Sequence, residues 1–383
     1  MTATVHPLRI GPIGVWPPVV LAPMAGVTNA PFRRLSRRFA GSPREGMAGG
    51  IFVCEMIGAR ALVEGDEKTR ILASFPEDEH PRSIQLYGTD PGAVREAVAM
   101  LVDEQRADHV DLNFGCPAPK ITRNGGGAAL PFRRDLFRAI VEAAVDGARG
   151  VPVTVKFRKG IDDRNETYLD TGRIAAEVGV AAVALHARTA EQLYSGTADW
   201  AAISRLVEAV TVPVLGNGDV WRADDARRML AETGAAGVVV GRGCLGRPWL
   251  FRDLARVFSG RDPAPDPPLG FVLDVMGEHA RLLVDWFGRN TGIRTFRKHT
   301  SWYVKGYPVG SDVRRALAEV ESLDGLADVL SGLDRTAEPR PGTVAAPRAH
   351  THGPRAVRLP HGYREGRWRE PLPPAGERAV SGG

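Results

Sequence analysis

Short apolar, β-branched runs recur along the chain and alternate with stretches of helical periodicity. Eight runs of this kind follow one another: VVLAPMA, IFVCEM, SIQLYG, HVDLNFG, PVTVKFR, AVALHAR, PVLGNGD and GVVVGRG. They are spaced by roughly 25 to 40 residues, the length that a strand and its crossover helix require. The intervening stretches, such as PGAVREAVAMLVDEQRA, have the periodicity of amphipathic helices. The pattern predicts an α/β fold in which eight strand–helix units close into a (β/α)8 TIM barrel.

The eight runs share a polarity, because each begins apolar and ends in a residue that can take part in binding or chemistry. The end residues are Met24, Glu55, Gln85, Asn113, Lys156, His186, Asn217 and Arg242. In a (β/α)8 barrel the carboxyl ends of all strands meet at one rim, and active sites are built there. The sequence therefore predicts one site assembled from these strand ends.

The strand pattern stops after Trp249, and the chain organisation changes. A Pro-rich break, SGRDPAPDPP, precedes a helical stretch without strand candidates, and from about Asp334 the chain is rich in Pro, Gly, Arg and Ala. We predict a barrel domain over 1–255, a small all-helical domain over 265–333 and a tail over 334–383. The tail is expected to be disordered, because so few apolar residues cannot offset the entropy of ordering the chain.

Composition and charge narrow the class of protein. Of the 383 residues, 43% are hydrophobic, and neither a bilayer-spanning run nor an N-terminal signal pattern is present. We expect a cytoplasmic protein without membrane contact or an obligatory protein partner. The three cysteines show no disulfide or metal spacing, so no metal site is predicted. The net charge is +5, but the segment from Thr336 contributes +4 of it through eight Arg and four Glu, so overall charge does not argue for a nucleic-acid partner.

Two Gly-rich strand ends are candidates for an anion site. GRGCLGRP contains a GxGxxG pattern, but it lies on the last strand of the series and no acidic residue follows at a second strand, so a Rossmann site is disfavoured. Instead, the loops at Asn217–Asp219 and Gly241–Gly243 match the phosphate site that barrels often build after strands seven and eight. Backbone N–H groups and Arg242 would contact the phosphate. The alternative is that these glycines serve turn geometry alone.

Lys156 and Cys116 are the candidates for redox and acid chemistry. Lys156 ends the fifth strand, where an ammonium can stabilise the charge that develops on a reduced flavin. Cys116 follows the fourth strand in DLNFGCPAPK, on a loop rather than in a core. The alternatives are a solvated lysine and a small buried hydrophobe, and the second interpretation fits Cys54 and Cys244 better than Cys116.

These motifs resemble those of the flavin-dependent tRNA-dihydrouridine synthases. The similar blocks occur in the family's order: LAPMAGVTNAPFR, DLNFGCPAPK, VKFRKG, LHART, LGNGDV, VVVGRGCLGRPWLF and RKHTSWY. The resemblance covers roughly Leu21 to Leu333. It extends to the bacterial branch in which a helical domain with an RKH segment follows the barrel.

The resemblance implies a barrel that binds FMN and reduces uridines of tRNA to 5,6-dihydrouridine, with NADPH, or alternatively NADH, as electron donor. The residues it assigns to FMN are Pro23, Met24, Ala25, Gln85, Lys156, His186, Asn217, Gly218, Asp219, Gly241 and Arg242. Gln85 and Lys156 would meet the flavin ring, and the residues from the last two strands would hold the ribityl phosphate. Asn113 would help place the uracil. Cys116 would be the catalytic cysteine, a general acid that protonates C5 after hydride transfer to C6.

A local basic stretch is the candidate for tRNA contact. RNTGIRTFRKHTSWYVK carries five Lys or Arg residues and no acidic residue. Within it we expect Arg297, Lys298 and His299 to bind the substrate, together with Arg158 and Lys159 near the pocket. The alternative is an ordinary solvated helix face.

Two rival functions remain compatible with the sequence. An FMN barrel oxidoreductase acting on a small pyrimidine would share the flavin residues without explaining the basic helical segment. A noncatalytic tRNA-binding protein would not need Cys116, Lys156 and the phosphate loops. The tail is interpreted as an inert extension, with added nonspecific RNA affinity as the alternative.

Overall fold

A computed structural model describes residues 5–41, 43–349 and 353–365 of the chain. The strands are β1 (Leu8–Ile10), β2 (Ile13–Val15), β3 (Val19–Leu21), β4 (Ile51–Phe52), β5 (Ile57–Gly58), β6 (Ser83–Tyr87), β7 (His109–Phe114), β8 (Val153–Arg158), β9 (Ala182–His186), β10 (Val214–Asn217) and β11 (Gly237–Val240). All eight apolar runs singled out in the sequence contain strands.

The main sheet is parallel and closes on itself. Its order is β4-β3-β11-β10-β9-β8-β7-β6-β5. The two terminal strands, β4 and β5, belong to one segment, which pairs with β3 through Ile51 and Phe52 and with β6 through Ile57 and Gly58. Val53 also bridges to Ser83 at the start of β6. Eight strand positions therefore form a barrel, and the predicted (β/α)8 architecture is confirmed.

Helices follow the strands as crossover connections and then form a separate group. The α-helices are α1 (Ala30–Ala40), α2 (Ala59–Val63), α3 (Glu67–Leu72), α4 (Pro91–Asp103), α5 (Pro119–Thr122), α6 (Arg134–Ala148), α7 (Tyr168–Val178), α8 (Trp200–Ala209), α9 (Ala223–Thr233), α10 (Leu250–Phe258), α11 (Leu269–Phe287), α12 (Arg289–Tyr303), α13 (Ser311–Glu319) and α14 (Leu323–Ser331). Two 3-10 helices lie at Gly127–Phe132 and Arg242–Cys244. Among the described residues, no helix combines the length and apolarity needed to cross a membrane.

An N-terminal hairpin, which the sequence did not predict, covers the amino-terminal end of the barrel. Strands β1 and β2 pair antiparallel, and Leu8 is buried among interior residues of the barrel. A Cβ on Gly237, the first residue of β11, would lie 3.0 Å from the Leu8 side chain. Since the hairpin covers this end, the carboxyl rim is the accessible mouth.

The helices α11 to α14 have a second apolar core. Phe296 of α12 and Leu317 of α13 are buried in it, and so is Trp249, which precedes α10. Leu35 of α1 joins the same core from the barrel side. The helical group is thus seated on the barrel through α1 and Trp249.

The predicted disorder of the tail is wrong for residues 334–349 and 353–365, which are ordered and packed. Val344 is buried in the second core, Arg348 is buried against backbone carbonyls, and Tyr363 is buried beside the barrel mouth. Composition led to the wrong expectation of disorder, because it reports only whether a segment can bury its own apolar surface. This segment instead packs onto surfaces that the rest of the chain provides. The remainder of the predicted tail, 366–383, lies outside the described residues.

Candidate active site

The strand register brings the predicted residues to one level of the rim. Gln85 pairs with Asp111, Asn113 with Lys156, and His186 with both Arg158 and Asn217 across neighbouring strands. Side chains of consecutive strand ends therefore stand next to one another.

A chain of hydrogen bonds leads from a buried carboxylate to the cysteine loop. Asp111 accepts from Gln85 Nε2 at 2.6 Å and from the Thr154 hydroxyl at 2.6 Å. Asn113 Nδ2 donates to Gln85 Oε1 at 2.8 Å, and Asn113 Oδ1 accepts from the backbone N–H of Cys116 at 2.9 Å. Each amide orientation is fixed by the next partner. Gln85 retains one amide hydrogen for a ligand, and Asn113 holds the start of the cysteine loop.

Burial shifts the pKa values of Asp111 and Lys156 toward each other. Burial raises the pKa of Asp111 to about 6, against the lowering effect of its two hydrogen-bond donors. Burial and the neighbouring Arg158 lower the pKa of Lys156 to about 8, against the attraction of Asp111. At neutral pH Lys156 therefore carries a charge that its surroundings only partly compensate. Such a cation favours a ligand that gains negative charge.

Cys116 lies half-buried at the mouth, on a loop that packs against the triple-glycine stretch. Its carbonyl accepts from the Ala128 N–H at 3.0 Å. A Cβ on Gly127, whose φ is +55°, would lie 2.5 Å from that carbonyl, so only glycine fits there. Burial raises the pKa of the Cys116 thiol, which keeps it protonated. Cys54 and Cys244 are both 0% exposed and belong to the core, as expected.

The prediction that Arg158 contacts RNA is not supported by its location. Arg158 is 3% exposed, and its guanidinium donates to the carbonyls of Gly115, Thr189 and Leu193 at 2.8–2.9 Å. It therefore ties the cysteine loop to the loop after β9. Lys159 is likewise buried and forms ion pairs with acidic side chains.

The loop after β10 has the backbone shape that the phosphate interpretation requires. Gly218 has a φ of +130°, and a Cβ there would meet the Ala198 Cβ at 2.6 Å. Asn217 donates to the Val239 carbonyl at 2.7 Å, which ties this loop to β11. Asp219, with φ +56°, accepts a bidentate hydrogen bond from Arg188 at 2.8 Å. The Asp219 carboxylate therefore orients the Arg188 guanidinium, and its negative charge is paired with that cation.

Arg188 is the main site residue that the sequence reasoning missed. It is buried, and its Nη2 is engaged by Asp219 while Nη1 has no hydrogen-bond partner among the described residues. That orphaned donor lies 3.8 Å from the position a Gly218 Cβ would take, and the ring of His186 lies 3.6 Å from the same point. The available signal was LHART, where Arg188 stands two residues after His186.

Arg242 adds a second cation at this end of the mouth. Its guanidinium lies over the Tyr194 ring at 4.2 Å and 3.9 Å from the Asp219 carboxylate. Gly241 precedes it next to Met24, whose sulfur would lie 3.9 Å from a Cβ on that glycine. Burial lowers the pKa of Arg242 to about 10, so it stays charged at neutral pH. Arg188 and Arg242 thus converge on Asp219 at the end of β10, where an anion is expected.

The PMA loop is touched by the helical group. Pro23, Met24 and Ala25 lie at the mouth, and the next residue, Gly26, donates to the Glu55 carboxylate at 2.6 Å. A Cβ on Gly26 would lie 2.7 Å from the Lys298 ammonium. Lys298 is exposed, so α12 presents a cation beside the mouth.

The neighbours of Lys298 in the RKH segment have different locations. His299 is 0% exposed, stacks on Phe32, and has no hydrogen-bond partner on either ring nitrogen among the described residues. The prediction that His299 contacts RNA is therefore wrong, because at helical spacing it faces the core. Arg297 is half-buried and donates to the Val320 carbonyl at 2.7 Å, so its contact with RNA stays a prediction.

The chain is similar in sequence to a protein family and to proteins of known name. The model described as dihydrouridine synthase (Dus) matches residues 20–337. A Mycobacterium tuberculosis protein named "Probable tRNA-dihydrouridine synthase" is 54% identical over 360 residues, covering 93% of this chain and 92% of that protein. The tRNA-dihydrouridine synthase B of Xanthomonas axonopodis pv. citri is 37% identical and covers 83% of this chain and 92% of that protein.

A solved structure shares the architecture at low sequence identity. Histamine dehydrogenase from Rhizobium sp. 4-9 superposes with a TM-score of 0.50 and 14% identity, over 77% of this chain and 51% of that one. At this identity the likeness concerns the barrel fold alone.

Proposed function

Because this chain belongs to the dihydrouridine synthase family, we propose that it reduces uridines of tRNA to 5,6-dihydrouridine with FMN as cofactor and NADPH as electron donor. The observation that carries the proposal is one rim on which a protonated thiol, a half-buried lysine and two arginines stand together. We place the reaction in the cytoplasm.

The residues at the end of β10 and β11 fit the phosphate of FMN. The described residues offer no acceptor to Nη1 of Arg188, and an unpaired buried donor is costly, so a ligand oxygen would be favoured there. Gly218 leaves a space that a side chain would fill, and Arg242 supplies a second positive charge. Asp219 holds Arg188 so that its free nitrogen keeps one direction. We assign the remaining cofactor residues, from Pro23 to His186, to the part of FMN beyond its phosphate.

When bound, reduced FMN supplies the hydride that goes to C6 of the uracil. Lys156 holds a positive charge under the mouth and favours the electron-rich form of a bound ring. Because the pKa of Lys156 is about 8, most of this side chain is charged at pH 7, although burial reduces its contact with water. Gln85 offers its remaining amide hydrogen, and Asp111 fixes the direction of that hydrogen.

Cys116 donates the proton that C5 requires. Hydride addition at C6 leaves negative charge over C5 and the C4 carbonyl, and a proton must reach C5 to complete the reduction. A general acid has to hold its proton until that moment, which suits the raised pKa of this thiol. Asn113 holds the loop through the Cys116 N–H, so we assign it to positioning the acid as well as the uracil.

Transfer RNA would reach the mouth along the helical group. Lys298, Arg294 and Arg289 are exposed on α12, and Lys298 lies beside the PMA loop. A uridine in a folded tRNA has to leave its stack to enter such a pocket. Cations at the rim would hold the backbone while the base is turned inward.

The test is the mapping of dihydrouridine by mass spectrometry after the purified flavoprotein and NADPH act on tRNA made without modifications. We expect dihydrouridine at defined positions, and parallel reactions with NADH establish the preferred donor. Absence of dihydrouridine from a flavin-loaded protein would contradict the proposal and favour the small-molecule pyrimidine reductase.

The role of Cys116 has its own variant and control. We expect Cys116→Ala to keep bound flavin and NADPH oxidation but to lose about 10²- to 10⁴-fold in tRNA reduction, the usual contribution of a general acid. Cys54→Ala, which removes a buried thiol away from the mouth, should retain activity. Full tRNA reduction by Cys116→Ala would remove the thiol from the mechanism.

A further inference from the structure

The ordered part of the C-terminal segment connects the helical group to the barrel mouth. We name residues 334–349 and 353–365 the strap. The Ala337 carbonyl accepts from Leu269 at the start of α11 at 2.9 Å, and the Arg340 N–H donates to the Gly306 carbonyl at 2.9 Å. Val344 is buried in the second core. The first half of the strap is therefore part of the helical group.

The middle of the strap meets the anion site. Arg242 Nη1 donates to the carbonyls of Arg348 and Ala349 at 3.5 and 3.3 Å. Arg348 is itself buried and donates to the carbonyls of Val344 and Trp302. Further on, the Arg355 N–H donates to the Glu191 carbonyl at 2.8 Å. Both described parts of the strap thus contact loops at the mouth.

The far end of the strap is anchored by Tyr363. This residue is 2% exposed and packs with Ala129, Phe132 and Ile161 in a small apolar cluster. Its hydroxyl lies 3.0 Å from the Ala129 carbonyl and 3.3 Å from the Gly125 carbonyl. The next residue, Arg364, pairs with Asp162 at 2.8 Å. A burial this complete at the end of a Pro- and Arg-rich segment indicates a specific docking site.

The segment that Tyr363 contacts also contacts the backbone of Cys116. The Ala128 N–H donates to the Cys116 carbonyl, and Gly127 packs against that same carbonyl. Gly125 and Ala129, the two acceptors of Tyr363, lie on either side of these residues. Two residues of one turn therefore face the thiol loop while their neighbours face the strap.

We propose that Tyr363 is a positioning residue for Cys116, and that the strap fixes the turn on which the thiol loop rests. The proposal rests on the proposed function, since it takes Cys116 as the acid. The matched family domain ends at residue 337, so the strap from 338 onward is a support added outside that domain. Its two described parts contact the helical group and Arg242 on one side and the turn beside the cysteine loop on the other.

The experiment uses two substitutions in the full-length flavoprotein. Tyr363→Phe keeps the ring and removes the hydroxyl, and Tyr363→Ala removes both. Arg358→Ala is the matched control, because Arg358 is an exposed strap residue outside the tyrosine cluster. Three quantities are measured: the rate of flavin reduction by NADPH, the rate of flavin reoxidation by tRNA at saturation, and the alkylation rate of Cys116 by iodoacetamide, followed by peptide mass spectrometry.

We expect flavin reduction to stay within about twofold of wild type in every variant. Tyr363→Ala should slow reoxidation by tRNA about tenfold with little change in the tRNA concentration for half-saturation, because it removes both the hydroxyl and the packed ring that hold the turn under the cysteine loop. Tyr363→Phe should lie between Tyr363→Ala and wild type. Cys116 should be alkylated several-fold faster in Tyr363→Ala, since its loop is less restrained, while the buried Cys54 stays unreacted.

Two results would overturn the proposal. One is wild-type reoxidation and alkylation in both tyrosine variants. The other is an equal loss of flavin reduction and of reoxidation, which indicates general destabilisation. Cys116→Ala is run in parallel, because full activity there refutes the acid role, whereas the alkylation rates of the tyrosine variants still report whether the strap restrains the loop.

Discussion

The position of Lys156 costs stability, because burial disfavours its charged form, and replacement of this lysine by methionine should remove that cost. The pKa of Lys156 falls from its ordinary 10.5 to about 8 because burial and Arg158 disfavour the charged form. At 1.36 kcal/mol per pKa unit, this gap corresponds to at most about 3.4 kcal/mol. Lys156 is only half-buried, and its attraction to Asp111 is lost on substitution, so we expect Lys156→Met to gain about 1–2 kcal/mol.

The pH dependence follows from the direction of the pKa change. Below about pH 8 the lysine is charged in the folded and in the unfolded chain, and the folded state carries the full penalty. Above pH 8 the folded lysine loses its proton while the unfolded lysine keeps it, so wild-type stability rises relative to the variant. The advantage of Lys156→Met is therefore complete below pH 8 and declines to zero near pH 10.5.

The assay is thermal and denaturant unfolding of flavin-free protein between pH 6.5 and 10.5. An advantage of about 1–2 kcal/mol should raise Tm by about 1–3 °C near neutral pH, because the entropy of unfolding is large for a chain of 383 residues. Lys68→Met, at an exposed lysine, is the control and should change little. The same Lys156→Met variant should fail to reduce tRNA. A variant that is less stable at pH 7, or an advantage that does not shrink above pH 8, would refute this account of Lys156.

Further substitutions test the anion site and the RKH segment. Arg188→Lys should weaken FMN binding by about tenfold or more, because a lysine cannot both hold Asp219 bidentately and present a second donor. Titration with FMN measures the affinity, and an unchanged affinity would contradict the anion site. His299→Phe should keep tRNA binding, since both ring nitrogens are buried and have no partner within the described ranges. Lys298→Glu should weaken tRNA binding and flatten its salt dependence. Binding curves for tRNA at several salt concentrations distinguish the two variants. Weaker tRNA binding by His299→Phe together with unchanged binding by Lys298→Glu would contradict the assignment of Lys298, and not His299, to tRNA contact.

Several features follow from the sequence alone because they depend on local pattern. The eight apolar runs predict the barrel strands, since a parallel strand buried on both faces needs a continuous apolar run. The polarity of those runs predicts which residues meet at the rim, because in parallel strands every carboxyl end points the same way. Gln85, Lys156 and Asn217 were found in this way, and the ordered series of motifs indicated the family.

Other features were decided only by the tertiary structure, because burial and hydrogen bonding depend on partners distant in sequence. His299 stands between two basic residues, yet the packing of α12 against Phe32 places it in the core. Arg188 is oriented by Asp219, which lies at the end of another strand, and its Nη1 has no hydrogen-bond partner in the described part of the chain. Tyr363 belongs to a segment whose composition predicts disorder, but a pocket formed by Phe132 and its neighbours lets it pack. Composition measures what a segment can bury by itself, whereas the fold supplies the surface on which it is buried.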